Sequence, residues 1–355
     1  MIGRLVFRSP SPQSLKNPRS LTRFSINRFR MASDAPVAKK ARTEKHAFHR
    51  LDVNVDALCT EVKRSRDPTV LDACDIVVDV GAVYDESKQR FDHHQRGFEE
   101  VFGWGFTTKL SSAGLVYKHF GKEIISNQTQ LPLDHPGVQT LWLKLYKELV
   151  ESIDANDNGI SQYPTDLKPR YRVRTDLSSR VAQLNPPWNK SLDAQGMDIL
   201  FEKASSLTGS EFLGRLEYYA NAWLPARDLL ISAIQSSKSK VDSSGKIILL
   251  ESFLPWKEHL FDLESEDASS TPPAATYIVY PDEFSGNWRV QAVPVSPESF
   301  ESRKALPEKW RGLRDDVFSE TSGIQGGIFV HASGFIGGNK TKEGALQMAK
   351  VAVEM

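Results

Sequence analysis

Cysteine is nearly absent: Cys59 and Cys74 are the only two in 355 residues. That excludes a disulfide framework and any Cys-x-x-Cys metal or redox pair, and it suits a reducing compartment. Long apolar runs are also missing. None approaches the roughly 20 residues that span a bilayer, so no membrane insertion is expected. Net charge is zero, with 45 Lys and Arg against 45 Asp and Glu, which argues neither for nor against nucleic acid. No internal repeat is visible. The first 30 residues contain no acid, whereas seven bases (Arg4, Arg8, Lys16, Arg19, Arg23, Arg28 and Arg30) stand among serines. This is the composition of a mitochondrial or plastid transit peptide; a plain basic tail is the alternative. Met31 offers a second start, and Lys39-Lys40-Ala41-Arg42 behind it is a short patch of nuclear-import type. Two starts would serve the mitochondrion and the nucleus, with the cytoplasm open to the product from Met31.

Three segments follow from composition and periodicity. Residues 1–45 read as a removable or disordered leader. Residues 46–236 read as one α/β domain and 241–355 as a smaller mixed α/β domain, with Val241-Asp242-Ser243-Ser244-Gly245 as the boundary. In the first domain, Asp72 to Gly81 reads as a turn into a buried strand and Tyr84 to Phe91 as its turn-rich return. Ser111 to Phe120 reads as a helix capped by Ser111 or Ser112. Val138, Leu141, Trp142, Leu145, Leu149 and Ile153 recur at three- and four-residue spacing and predict one helix over 138–153. A Pro- and Arg-rich loop is predicted over 163–188, then helices over 193–207 and 210–236, with a kink or break at Pro225. The second domain reads as strands over 246–251, 276–280, 288–293 and 328–331, closed by a helix over 341–353.

Chemistry concentrates where Ile76-Val77-Val78 ends in Asp79 and Asp92-His93-His94 follows a short way downstream. Buried strands of α/β sheets aim their C-terminal ends into ligand crevices. Phosphoester hydrolysis with two metals needs a carboxylate that can bridge both ions, with further carboxylate or imidazole ligands. Asp79 is placed to bridge, His93 to ligate through one ring nitrogen, and His94 to reach a phosphoryl oxygen. Asp154, at the end of the amphipathic helix, is a third ligand. Each residue has a plainer reading as well: a solvated strand-end Asp, two histidines in a turn, and helix-end caps at Asp154 and Asp157 before Gly159.

Longer strings decide between these readings. Val78-Asp79-Val80-Gly81, Asp92-His93-His94-Gln95 and Ile153-Asp154-Ala155-Asn156-Asp157-Asn158-Gly159 resemble the second, third and fourth motifs of the DHH phosphoesterase superfamily. Their form is that of the MYG (melanocyte proliferating gene) family of metal-dependent exonucleases. The resemblance runs from about Ser65 to the C-terminus. It includes Arg303-Lys304-Ala305-Leu306-Pro307-Glu308-Lys309-Trp310-Arg311-Gly312-Leu313 and His331-Ala332-Ser333-Gly334-Phe335-Ile336-Gly337-Gly338-Asn339. It implies a DHH-like parallel sheet with flanking helices, followed by a substrate-binding domain. It also implies Mn²⁺ or Mg²⁺ bridged by Asp79, one site completed by His93 and Asp154, and His94 facing the scissile phosphate. Asp92 would orient its neighbours, and Asp157 is a further possible ligand.

One motif departs. The family opens with a strand and then Gly-Thr-His…Phe-His-Cys-Asp-Glu, whose His and Asp bind metal. Here Lys45–Asp56 stands in that place, with Phe48-His49 and Asp52 or Asp56 as a faint echo. Fewer than two metals per site and poor hydrolysis are therefore expected. In the second domain, Gly334–Asn339 reads either as a Gly-rich turn or as an anion nest, with His331 before it. The resemblance favours substrate contact by His331, Gly337, Gly338 and Asn339, in a cleft between the domains facing Asp79 and His93. Lys304, Lys309, Arg311 and Arg314 around Trp310 read as a phosphate-binding strip with one stacked base, or as a basic segment packing one Trp. Arg170, Arg172, Arg174 and Arg180 form another cationic segment. The expected activity is 3′–5′ exonucleolysis of RNA or short oligonucleotides. A phosphatase acting on a small metabolite or dinucleotide, and a weakly catalytic RNA-binding protein, are the alternatives.

Overall fold

The computed structural model describes residues 61–266 and 275–355, apart from Thr165 and Lys168, together with a strand at 5–8. The segment 45–56, where the opening motif would stand, lies outside the described residues. The chain is of the α/β class and divides into two compact units, residues 1–216 and 217–355.

The first unit is built on a five-stranded sheet of order β2-β1-β3-β5-β4. Its strands are β1 (Leu5–Arg8), β2 (Glu61–Lys63), β3 (Ile76–Val78), β4 (Tyr84–Asp85) and β5 (Arg90–Phe91). β1 therefore places four residues of the leader segment in the sheet. Only β3 and β5 run parallel, in register Val77↔Arg90 and Val78↔Phe91; the other three pairings are antiparallel. The helix α1 (Pro68–Asp72) is capped by Asp67 and leads into β3, with Leu71, Cys74, Val77 and Val80 buried together. A hairpin of β6 (Val101–Gly103) and β7 (Phe106–Lys109) leads to α2 (Ser112–Thr129), whose N-cap is Ser111.

The stripe that begins at Val138 does form a helix, but not a uniform one. α3 (Pro136–Leu145) passes into a π-helical turn at Tyr146–Val150 and then into α4 (Glu151–Asp157). A π turn inserts one residue, so it rotates everything after it by about 100°. Val138, Leu141, Trp142, Leu145 and Leu149 are buried as their spacing predicts, but beyond the turn the buried position falls on Asp154 and Ile153 is only half-buried. Aromatic rings fill the space beneath: Phe102 stacks on Tyr146 with centroids 3.6 Å apart, and Tyr117 and Trp142 lie alongside. The loop predicted over 163–188 contains α5 (Leu177–Ala182), capped by Asp176.

The helices predicted over 193–207 and 210–236 are not separated at 207–210. α6 (Ala194–Tyr218) runs through that point, a second π turn occupies Tyr219–Trp223, and α7 (Leu224–Lys240) follows with Pro225 in its first turn. Proline lacks the N–H that an α-helix would require there, and the wider turn before it removes that demand.

The second unit holds β8 (Ile247–Leu249), α8 (Trp256–Glu266), β9 (Tyr277–Pro281), β10 (Trp288–Ala292), α9 (Asp315–Ser322), β11 (Gly327–Val330), β12 (Ile336–Asn339) and α10 (Lys342–Glu354). The sheet order is β11-β12-β10-β9-β8, with only β8–β9 parallel. α10 buries Ala345, Met348, Ala349 and Ala352, one stripe at helical spacing, in a core with Tyr277, Val279, Val290 and Trp310.

Candidate active site

Parallel pairing of β3 with β5 is what assembles the site. Two parallel neighbours end at the same edge of the sheet, so the residues that follow them are adjacent. The Asp79 N–H donates to the Phe91 carbonyl at 3.1 Å, which sets Asp79 beside Asp92-His93-His94. Ligand atoms of Asp79, Asp92, His93 and His94 all lie within 4.8 Å of one another. Asp79 has φ +63°, in the left-handed region, where Asp and Asn are tolerated better than most side chains.

The four residues do different work. Asp92 is almost completely buried, and both its oxygens have partners. Oδ2 accepts the Ala82 N–H at 2.7 Å; Oδ1 accepts the His94 N–H at 3.0 Å and faces His94 Nδ1 at 2.7 Å. Burial opposes its charge, but these hydrogen bonds outweigh burial and hold its carboxyl below the usual range. Asp92 thus fixes the His94 ring as an orienting group. The His94 side chain is about half exposed, and its ring lies 4.1 Å, centroid to centroid, from that of His93.

His93 is buried. Its Nδ1 lies 3.0 Å from Ser112 Oγ and 3.1 Å from the Ser112 backbone nitrogen, and its Nε2 lies 3.3 Å from Asp157 Oδ2. The Ser112 N–H donates to Nδ1, which puts the ring proton on Nε2, towards Asp157. Ligation of a cation through Nε2 requires the proton on Nδ1, where the Ser112 hydroxyl can accept it once the Ser112 N–H turns away. Burial, then the charge of His94, hold the imidazole below its usual pKa, and a neutral ring is the ligating form. Asp79 Oδ1 lies 3.8 Å from Nδ1 of each histidine. Its carboxyl is raised, first by burial and next by the charge of Asp157. A cation held between these carboxylates would relieve that repulsion, and carboxylate with imidazole is a donor set for Mg²⁺, Mn²⁺ and related ions. The cluster fits a metal-dependent enzyme.

Asp154 and Asp157 share one broad face of α4 but point along different directions of it. Three helical residues advance about 300°, so their side chains diverge by about 60°. Asp157 reaches His93 and lines a cavity with Asp79 and His94. Asp154 is fully buried and faces the start of α2. Its Oδ1 accepts the Ser111 N–H (3.0 Å), the Ser111 hydroxyl (2.7 Å) and the Gly114 N–H (3.0 Å); its Oδ2 accepts the Tyr146 hydroxyl (3.0 Å). Four donors occupy a carboxylate that the sequence assigns to metal. Gly114 permits this approach, since a Cβ there would stand 2.2–2.6 Å from the Asp154 carboxylate. Burial raises the Asp154 carboxyl to about 6, although its hydrogen bonds pull the other way.

The sequence gives no sign of the His93–Ser112 contact, because Ser112 reads as a helix-start residue of a common kind. The cavity's apolar wall is also missed as a feature, since its members read as ordinary helix-core positions.

In the second unit the residues expected at substrate have the following surroundings. Gly337, Gly338 and Asn339 lie in β12, a buried strand laddered to both β10 and β11. A Cβ on Gly337 would meet Leu306, Met348 and the Phe329 carbonyl at 3.0–3.1 Å, and one on Gly338 would meet Arg289 Nη1 at 2.7 Å. The glycines serve close strand packing. Asn339 Oδ1 accepts the Thr341 N–H and Nδ2 donates to the Gln325 carbonyl, bracing the entry to α10. Trp310 is fully buried against Phe318, so its ring offers no face for a base. Arg311 donates to the Leu306 carbonyl and Lys304 to the Val353 carbonyl, while Lys309 lines a shallow cavity beside Met355. His331 is exposed and bonded to Ser333. Arg180 pairs with Glu211.

Residues 47–353 match a family model named for MYG1 exonuclease and described as an uncharacterised protein family, UPF0160. The chain is 48% identical to the MYG1 exonuclease of Homo sapiens over 299 residues, which cover 82% of this chain and 78% of that protein. It is 47% identical to the MYG1 protein of Dictyostelium discoideum over 290 residues (82% and 86%). It is 42% identical to a MYG1 protein of Saccharomyces cerevisiae over 337 residues (91% and 98%). No solved structure matches the chain.

Proposed function

The chain belongs to the MYG1 family, a nuclease family by the names of its relatives, and from that membership and the geometry of Asp79, His93, His94 and Asp157 we propose that it hydrolyses phosphodiesters as a metal-dependent 3′–5′ RNA exonuclease. The observation that carries this reading is the pair Asp79 and Asp157 flanking a neutral His93, next to a His94 held in place by Asp92. Asp79, His93 and Asp157 would hold the ion. Once bound, a divalent cation supplies Lewis-acid polarisation of the phosphoryl group and lowers the pKa of water. Asp92 accepts from His94 Nδ1–H, so His94 presents Nε2 to a phosphoryl or leaving oxygen. Ser112 holds the His93 ring in place through its Nδ1 edge. Asp154 holds α2 and α4 together, keeping Ser112 and Asp157 at their distances from His93. Residues 1–30 would direct the full-length chain to mitochondria, and a product from Met31 would supply the nucleus.

Purified protein with Mn²⁺ is expected to shorten a 5′-labelled RNA one nucleotide at a time from its 3′ end, and a matched DNA more slowly. No metal-dependent product from either strand would sink the hydrolase reading. Metal analysis by mass spectrometry should divide the roles: His93→Ala and Asp157→Asn lose bound Mn²⁺, whereas His94→Ala retains it and loses turnover by about 100-fold or more. Equal metal loss from both histidine variants would show that the division is wrong.

A further inference from the structure

A cavity of about 620 Å³ opens beside the site, with Asp79, His94 and Asp157 on one side. That volume lies in the range of about 300–1,000 Å³ usual for small-molecule sites. Another part of the lining comes from α5, the residues just past it, and α6. Met197, Leu200, Phe201 and Ala204 stand at positions i, i+3, i+4 and i+7 of α6, so they form one stripe, and Leu184 just past α5 extends it. All five are half-buried rather than sealed in the core. An apolar stripe in a cavity lined also by polar catalytic groups has no role in holding a metal.

Two arginines stand at the rim. The Arg64 guanidinium lies 5.6 Å from the centroid of the Phe201 ring and 3.1 Å from Asp198 Oδ1. An exposed pair of this kind contributes little and can be exchanged for another anion. Arg66 is exposed and has no ion pair among the described residues. The cavity lining therefore combines carboxylates and imidazole, an apolar stripe, and two exposed arginines. A nucleotide matches that division: a phosphate at the polar end, a flat base for the apolar wall, and the next phosphate for the arginines.

We propose that the wall of Leu184, Met197, Leu200 and Phe201 seats the base of the terminal nucleoside, with Arg66, and Arg64 released from Asp198, taking the adjoining phosphate. This rests on the reading that Asp79, His94 and Asp157 face the scissile phosphate. The stripe is apolar and stacks a base without reading its edge, so purines are favoured by area; Asn185, beside Leu184, and Ser65 are the polar lining residues besides the charged ones. It also excludes a substrate that has a phosphate and no base.

Calorimetric titration of the full chain with AMP and with ribose 5-phosphate, in Mn²⁺ and again in EDTA, tests this. AMP is expected to bind at least about 10-fold more tightly than ribose 5-phosphate, the scale of one stacked base. Phe201→Ala and the cavity-filling Ala204→Trp should both bring the two affinities together, with circular dichroism checking the fold of each. Should Phe201→Ala fail to fold, Ala204→Trp decides. Equal binding of the two ligands by the wild type, or a preference that survives Ala204→Trp, overturns the proposal. Hydrolysis of bis(p-nitrophenyl) phosphate, a diester with no base, separates the two readings. Loss of that reaction with AMP preference intact removes the hydrolase and leaves the pocket. Hydrolysis without AMP preference leaves the hydrolase and removes the pocket.

Discussion

Asp79→Asn is expected to lower metal-dependent hydrolysis by roughly a thousandfold, about 4 kcal/mol of transition-state stabilisation, while leaving the fold intact. The substitution is unusually clean here. Asp79 sits at φ +63°, and Asn occupies that left-handed region as readily as Asp, whereas Ala would add backbone strain. The shape is nearly unchanged and the charge is removed. Asp79 is also raised above its usual pKa by burial and by Asp157, so its ionised form costs the metal-free protein stability at neutral pH. The sign follows: stability from a raised carboxyl is present below its unfolded pKa and is lost as pH rises through the folded one. In EDTA at pH 7 the Asn variant should melt at or above the wild-type temperature. In Mn²⁺ the wild type should gain stability and the variant should not, because only the wild type binds the ion in its folded state. Wild-type turnover by the variant, or equal stabilisation of both by Mn²⁺, would show that Asp79 does not hold the metal.

Asp154 is expected to act on the fold. Asp154→Ala leaves the Ser111 N–H, the Gly114 N–H and two hydroxyls without their acceptor in a buried place, and should cost roughly 3–5 kcal/mol of stability. Asp154→Asn keeps an acceptor oxygen for the three donors at Oδ1, and the Tyr146 hydroxyl can accept from the new amide, so its cost is far smaller. The two also separate with pH. Burial lifts the Asp154 carboxyl from 3.8 to about 6, so the wild type holds the protonated group's stability below pH 4 and loses it as pH rises through 6. That difference amounts to about 3 kcal/mol. Denaturant unfolding in EDTA should therefore move in favour of Asp154→Asn, relative to wild type, between pH 4 and pH 7. A constant difference across that range would mean that the carboxyl is ionised throughout. Gly114→Ala should destabilise on the scale of Asp154→Ala, since its Cβ collides with the same carboxylate.

The motifs were legible because they are continuous strings: a strand ending in Asp79, then Asp92-His93-His94, then Asp154 to Gly159. The helix cap at Ser111 and the closing helix over 341–353 were legible for a related reason, since local hydrogen bonding and side-chain spacing set them. Misreadings arose where a contact from elsewhere in the chain overrode the local pattern. Gly337 and Gly338 have the composition of a turn, yet they form a central strand because Leu306, Met348, Phe329 and Arg289 leave no room for side chains. Trp310 among basic residues reads either as a stacking platform or as one packed ring, and the core of the second unit takes the ring.

What the sequence by itself determined is the chemistry available: which carboxylates and imidazoles exist, the strand that presents Asp79, and the family to which those strings belong. Which of them share one point in space was decided by tertiary structure. The parallel register of β3 and β5 joins Asp79 to His93, residues 14 positions apart whose adjacency no local rule implies. The π turn at Tyr146–Val150 then chooses between the two aspartates of α4. An unbroken helix would have continued its stripe to Ile153. One inserted residue turns Asp154 into the core, where backbone donors claim it, and leaves Asp157 to face the imidazole. The turn begins at Tyr146, where the rings of Phe102, Tyr117, Trp142 and Tyr146 pack together, an arrangement of the folded chain that the spacing of its apolar residues does not record.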